Sequence, residues 1–491
     1  MLFADSVKTL SLDKMDGALV VLVALFTLIR LAVAPTFGLG VDEAHYFLYA
    51  KYLDWSYVDH PPLVGWAHVP LYHLFGTNEL LVRLPAILLF AATSVFCYRF
   101  TAAFSGSKPV ALLAVLTVNS SFILNAMSLM LLPDCFLLAL VFPLMAVIIR
   151  IEETGKGRYF VYLGLLLGLA GLAKYTAILF VIPLAAYFIM KKRYELLFSP
   201  FMVLAAAIAF LLVSPVFYWN YTHDFVSFRY QGGHVLGPSS ASLRSFVVSL
   251  LAQFGAYSPF LFVIAFYGFG RAFRYRNDQV RLALLFGATL LLFFFYSSLY
   301  ERTLPHWPSV FYLLFIPIGV YDLWSSGRPN RRKFLYFSVG FSLVVTLFLY
   351  CELPAKWFAF PDYKSPFRDI YGIPEITREA HALLAEDPSP HKALAVTNWT
   401  MGSRIMYYGI PYGMKVSVLD ERSDQFDQWE KRPPIGYDLL FLNTHFHGTD
   451  IARSFLCDSC RPAGSLDIRL NGAKVDSVEY VWCRNYQGVR Q

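Results

Sequence analysis

Two neighbouring carboxylates, Asp42 and Glu43, stand in the stretch FGLGVDEAHYFLYAKYLDWSYVDHPPLVGW, residues 37–66. They follow Gly38 and Gly40 and open a segment, AHYFLYAKYL, with helical spacing. One reading is local: Asp42 caps the helix, and Glu43 sits in a first turn where the macrodipole favours acid. The other is chemical: a carboxylate in an aromatic-rich, partly dry loop gains basicity and can take a proton. Adjacent helix positions point about 100° apart, so the two do not serve one atom; one faces substrate and the other supports it. His45 and Tyr46, three and four residues on, share the face of Asp42. Asp59 and His60 then precede Pro61 and Pro62, which force an extended turn before Trp66.

Further chemistry-bearing residues stand at the ends of apolar runs. Asp134, in NAMSLMLLPDCFLLAL, is either a helix-start acid after Pro133 or a functional group at a membrane junction. Lys174 lies in GLAGLAKYT, Arg302 and His306 in YERTLPHWP, and Arg83 opens RLPAILL. Each alone could snorkel to an interface. Together they could converge on an anion, arginine as a two-donor clamp and lysine as a point charge. The stretch 214–234, SPVFYWNYTHDFVSFRYQGGH, holds Asn220 and His223 among aromatics and suits a carbohydrate or lipid-headgroup surface. Of six cysteines, Cys457, Cys460 and Cys483 lie near the C-terminus. Cys457 could bridge Cys460, or either could bridge Cys483; with His445 and His447 the first two also form a candidate zinc set. There is no phosphate-binding glycine loop, serine nucleophile elbow or HExxH motif.

The elements that must hold these groups are mostly apolar. The chain has 491 residues, 57% hydrophobic and only 15% charged, where soluble domains carry about 25%. About eleven stretches are long enough to span a bilayer: roughly 17–35, 80–103, 108–125, 130–150, 158–173, 175–190, 197–218, 246–268, 281–298, 308–323 and 333–351. The first is too long for a signal-peptide core and reads as a retained anchor. With a cytoplasmic N-terminus, the basic clusters at 150–158, 191–193, 271–281 and 328–333 all fall inside, as the positive-inside rule asks. That orientation places the loops 36–79, 219–245 and 299–307 outside, with everything after 352. The expected domains are therefore a membrane part, 1–351, and a soluble outer part, 352–491. The latter reads as α/β, with strands near 393–396, 415–418, 438–442 and 478–482 and a helix near 375–384. The net charge of +7 follows membrane orientation, and no basic surface interleaved with aromatics points to nucleic acid. A secondary transporter would show paired halves and charges near mid-bilayer; the charges here sit at span ends.

With these residues in place, the chain resembles the bacterial GT-C membrane glycosyltransferases. The resemblance is to the dolichyl-phosphate-mannose–protein mannosyltransferase-like group, which includes the lipid A aminoarabinose transferases. The matching pieces are DEAHYFLYAKYL, HPPLVGW, RLPAILL, LPDCFLL, GLAKYT, PVFYWNYTHDFVSFRYQ and RTLPHWP, in the family's order across roughly residues 36–310. The resemblance implies a polytopic α-helical GT-C fold with a C-terminal extracytoplasmic domain, in a bacterial inner membrane. It implies transfer of a sugar from a polyprenyl phosphate carrier to lipid A or another envelope glycan at the periplasmic face. Asp42, with Glu43 in support, and Asp134 carry over as catalytic. Lys174, Arg302 and Arg83 carry over to the carrier phosphate, where His306 is also expected, and Tyr46, His60, Trp66, Asn220 and His223 are expected to bind the substrates. Aminoarabinose transferases of the family have lysine before the Pro-Pro pair, where this chain has His60, so the donor sugar is left open. The sequence requires no cofactor; some relatives bind a divalent metal near the first loop, for which His60 or Glu43 could serve. A protein O-glycosyltransferase of the same fold and a non-catalytic protein that binds or transports lipid-linked sugars are the alternatives.

Overall fold

Every stretch expected to cross a bilayer carries helix in the computed structural model, which describes residues 14–236, 240–420, 424–430, 432–445 and 448–490. Six of these helices are long and apolar enough to span, Lys14–Thr36, Glu79–Ser105, Pro133–Thr154, Pro200–Thr222, Asp278–Tyr300 and Pro329–Ala355. The number rises to eight if each of two bent pairs counts as one span. Three further apolar helices, Gly157–Ala173, Tyr175–Met190 and Ser309–Ser325, are shorter. Two stretches read as single spans are bent. Residues 108–125 form Lys108–Asn119 and Phe122–Leu129, turned by 74°; residues 246–268 form Leu243–Ala256 and Pro259–Ala272, turned by 109°.

The chain divides into two compact units. The first comprises residues up to Leu31, Trp55–Val64 and Arg83–Leu349. Its helices start where hydroxyl and amide side chains cap them: Ser107 accepts from Val110 N, Ser199 from Met202 N and Asn277 from Val280 N. Close helix contacts depend on glycine. A Cβ at Gly268 would fall 2.2 Å from the Phe315 carbonyl oxygen, and one at Gly164 would fall 2.6 Å from that of Ala205. The 74° bend is stabilised by polar side chains. Asn125 Nδ2 donates to the Asn119 carbonyl (2.7 Å), and Thr346 donates to that of Ser120 (2.9 Å). Arg30, fully buried, donates to the side-chain oxygens of Asn119 and Asn125 at 2.7 and 2.8 Å. Apolar membrane helices tolerate such a break only when neighbours satisfy the freed backbone.

The second unit comprises Ala32–Asp54, Gly65–Val82 and Tyr350–Gln491. Its centre is a five-stranded sheet, β1 (Lys392–Val396), β2 (Val416–Val418), β3 (Asp438–Thr444), β5 (Ser459–Leu470) and β6 (Ala473–Arg484), in the order β2-β1-β3-β6-β5. β1 runs parallel to β2 and β3, while β6 is antiparallel to β3 and β5. Two short strands, β4 (Phe455–Leu456) and β7 (Gly488–Val489), pair separately. The apolar runs of β1 and β3 are buried, as central strands require. The helix Trp399–Tyr408 makes the crossover from β1 to β2, and the helix Val41–Lys51 packs on it through Leu39, Ala44, Phe47 and Tyr407.

Candidate active site

The helix Pro133–Thr154 begins with Pro133 at its first position and Asp134 at its second. There a carboxylate gains from the helix N-terminus. The helix Gly157–Ala173 stops at Lys174, which is extended (φ −153°, ψ 138°), and a 3-10 turn, Tyr175–Phe180, follows at once. That break aims Lys174 at Asp134: its Nζ lies 2.7 Å from each carboxylate oxygen. Both residues are buried, at 4% and 7% exposure. His306, in the turn between Asp278–Tyr300 and Ser309–Ser325, places Nε2 3.9 Å from the same carboxylate. The Trp307 ring centroid is 5.7 Å from the lysine ammonium.

Burial pushes the His306 imidazole down to about 4; the Asp134 carboxylate opposes this, and the Lys174 charge adds to it. His306 is therefore neutral at pH 7 and can donate or accept a hydrogen bond. The carboxylate orients the Lys174 ammonium in a poorly hydrated place. Such a group suits an anion with spread charge, such as a phosphate diester or monoester.

The structure thus brings together three of the expected residues, Asp134, Lys174 and His306. Arg302 is exposed four positions before His306, and Arg83 is fully buried. Asn220 and His223 shape the chain locally. The Asn220 side chain donates to the Val216 carbonyl and accepts from Ser227 N, which folds the helix Val226–Leu236 back. The His223 ring stacks on Trp219 at 4.0 Å, with Nδ1 2.8 Å from its carbonyl oxygen. The segment around half-buried His60 is fastened by Ser227, which donates to the Tyr57 carbonyl, and by Gln231, which donates to that of Asp59.

In the second unit the acidic pair divides its work. The N-cap of Val41–Lys51 is Gly40 and not Asp42, because the Glu43 carboxylate reaches back to Gly40 N at 2.8 Å. Glu43 is fully buried, and Asp42 stands half-buried at the second helical position. His45 lies inside a cage of Tyr46, Tyr49, Trp399, Phe426 and Trp429, with ring centroids 5.3–5.8 Å away. Trp66 donates its indole N–H to the Asp54 carbonyl.

Among the described residues, one group of three or more potential ligands could hold a metal, Cys457, Cys460 and Cys483. Two of these form a disulfide, Cys460–Cys483, across paired positions of β5 and β6. His60 and Glu43 belong to no such group. Of the candidate zinc set, His445 stacks on Tyr363, and His447 lies outside the described residues.

The chain matches known proteins over much of its length. The family profile for dolichyl-phosphate-mannose-protein mannosyltransferase matches residues 59–219, a stretch that contains His60, Arg83, Asp134 and Lys174. The lipid A galacturonosyltransferase RgtD of Rhizobium johnstonii is 23% identical over 70% of this chain and 73% of its own. ArnT from Cupriavidus metallidurans, bound to undecaprenyl phosphate, superposes with a TM-score of 0.63 at 15% identity, over 94% of this chain and 98% of that one. Its apo state gives 0.58 over 95% and 98%. The protein has the GT-C glycosyltransferase fold. With its apolar helices, that makes it a multi-pass membrane protein, similar in sequence to an enzyme named for lipid A.

Proposed function

We propose that the protein is an inverting glycosyltransferase. It moves a sugar from a polyprenyl phosphate carrier to lipid A or another envelope glycan at the outer face of the bacterial inner membrane. The observation that carries this reading is the buried Lys174–Asp134 pair beside neutral His306, set where helices begin and end. The similarity to a lipid A galacturonosyltransferase and to a protein solved with undecaprenyl phosphate supports it. A uronic acid is accordingly the first donor sugar to test.

In this mechanism Asp42 accepts the proton of the acceptor hydroxyl as that oxygen attacks the anomeric carbon. The bond to the carrier phosphate breaks on the opposite side, and the phosphate leaves with the bonding electron pair. Lys174, oriented by Asp134, stabilises the departing phosphate, and His306 offers it a neutral hydrogen bond. Arg302, exposed on the same loop, supplies charge from the solvent side.

The test uses the purified protein in nanodiscs with an undecaprenyl-phosphate uronic acid and lipid A, and follows the acceptor's mass. Asp42→Asn should abolish transfer while undecaprenyl phosphate still binds. Unchanged product formation would show that Asp42 is not the base. Transfer to a peptide hydroxyl, with none to lipid A, would favour a protein O-glycosyltransferase.

A further inference from the structure

Three helices long and apolar enough to cross a membrane end at one cavity of about 450 Å³, whose lining belongs wholly to the second unit. Thr36 closes the helix Lys14–Thr36, Glu79 opens Glu79–Ser105, and Lys356 follows the end of Pro329–Ala355; all three residues line the cavity. Helices of that kind give way to loops in the headgroup layer of a bilayer. The volume is that of a small-ligand site.

Backbone contacts hold the lining in place. Gly38 N donates to the Ile370 carbonyl at 3.0 Å, and a Cβ at Gly38 would fall 2.4 Å from that oxygen, so the approach needs glycine. Asn471 Nδ2 donates to the carbonyls of Ala355 and Lys356 at 3.0 and 2.8 Å, which ties the chain after Pro329–Ala355 to the turn between β5 and β6. Much of the polar lining is already engaged. The Thr36 hydroxyl donates to the Val33 carbonyl, and the Tyr371 hydroxyl to that of Leu353. Asp467 pairs with Arg469 and Lys474. Three charged groups of the lining have no ion pair among the described residues: the carboxylates of Glu79 and Glu375, and the Lys356 ammonium, which sits 5.0 Å from the Tyr371 ring centroid.

Two carboxylates against one ammonium do not suit a phosphate. They suit hydroxyl groups, which donate to carboxylate oxygens and accept from the ammonium. The cavity is also near the proposed base. Gly38 lines it, and four residues of chain, at most about 14 Å, separate Gly38 from Asp42. A saccharide several rings long, held here, spans that distance.

We infer that the cavity binds the saccharide headgroup of a membrane-embedded glycolipid acceptor, through hydroxyls that face Glu79, Glu375 and Lys356. This rests on the proposed function in taking a glycolipid as the acceptor. The test measures binding to the full-length protein in nanodiscs, with lipid A and undecaprenyl phosphate as separate probes. Glu79→Gln with Glu375→Gln removes two charges and keeps the side-chain shapes. Lipid A affinity should fall about tenfold, equivalent to ~1.4 kcal/mol. Affinity for undecaprenyl phosphate and the unfolding midpoint should hold. Glu386→Gln, at the far end of the helix Ile373–Glu386 and outside the cavity, is the control and should bind both probes as the wild type does. Unchanged lipid A affinity in the double variant overturns the inference. So does tighter binding, which would show that the cavity meets a phosphate that the carboxylates repel. An equal loss for both probes, or a loss in Glu386→Gln, overturns it too, since the charges would then act at a distance. A wild type that binds the carrier but not lipid A overturns the inference; one that binds lipid A but not the carrier overturns the proposed function instead.

Discussion

Asp134→Asn tests whether the Lys174 pair is a true buried ion pair or a surface contact. The wild-type ammonium lies 2.7 Å from both carboxylate oxygens, and the two side chains are only 9% and 5% exposed. Asparagine keeps the shape but removes the charge. Lys174 is then left buried with His306, which is neutral, and the Trp307 ring as its described neighbours. Breaking a buried pair on one side costs about 3–5 kcal/mol, whereas an exposed pair is worth about 0–1 kcal/mol. The assay is the unfolding free energy in mixed micelles, followed by circular dichroism. Replacing both partners, Asp134→Leu with Lys174→Met, removes the stranded charge and should recover most of the loss. A single variant that loses less than about 1 kcal/mol would refute the reasoning. So would a double variant no more stable than the single one. If the single variant does not fold, recovery of folding in the double variant is the decisive reading.

His306 gives a pH signature. Burial holds it at about 4, below its ordinary 6.5, so the unfolded chain takes the proton first. Its contribution to stability is complete above about pH 6.5 and is lost as pH falls toward 4. His306→Gln should flatten that acid limb of the unfolding midpoint; an unchanged slope counts against the assignment. In the second unit, the three cysteine sulfurs all lie within 4.8 Å of one another. Cys460→Ser should therefore leave a Cys457–Cys483 bridge, detectable by peptide mass mapping. Removing Cys457 as well should cost about 3 kcal/mol, the loop-closure term for a bridge from position 457 to position 483.

How much of this was legible in the sequence depended on what each signal measures. Hydropathy located the apolar helices but is blind to direction. Residues 246–268 therefore read as one span, although Ser258 and Pro259 were a capped helix start in plain view. Four strands followed from apolar runs. β5, SCRPAGSLDIRL, is an edge strand with polar residues and reads as loop. Its signal was Asn471-Gly472, both at positive φ, the turn that joins it to β6. Asp134, Lys174 and His306 were found because ionisable residues are scarce at span ends. Nothing local in the sequence shows that Arg30 meets Asn119 and Asn125. Asp42 read as a cap because acids favour that place; Glu43, reaching back to Gly40, takes the role instead.

The residues of the candidate phosphate site share one backbone feature: each stands where a helix begins, ends or bends. Asp134 is at a second helical position, Lys174 fills a one-residue break and His306 lies in a turn. In an apolar bundle such interruptions are stable only when protein groups satisfy the freed backbone, and here they do. Lys174 N donates to the Ala170 carbonyl, Ala177 N donates to that of Lys174, and Cys135 Sγ donates to that of Met127. The breaks therefore position side chains along directions that no helix face could offer. Helical periodicity describes faces, so it could not show where the side chains at these breaks end up. By the same logic, substitutions within helix interiors should act mainly on packing, and substitutions at these breaks should act on what the site binds.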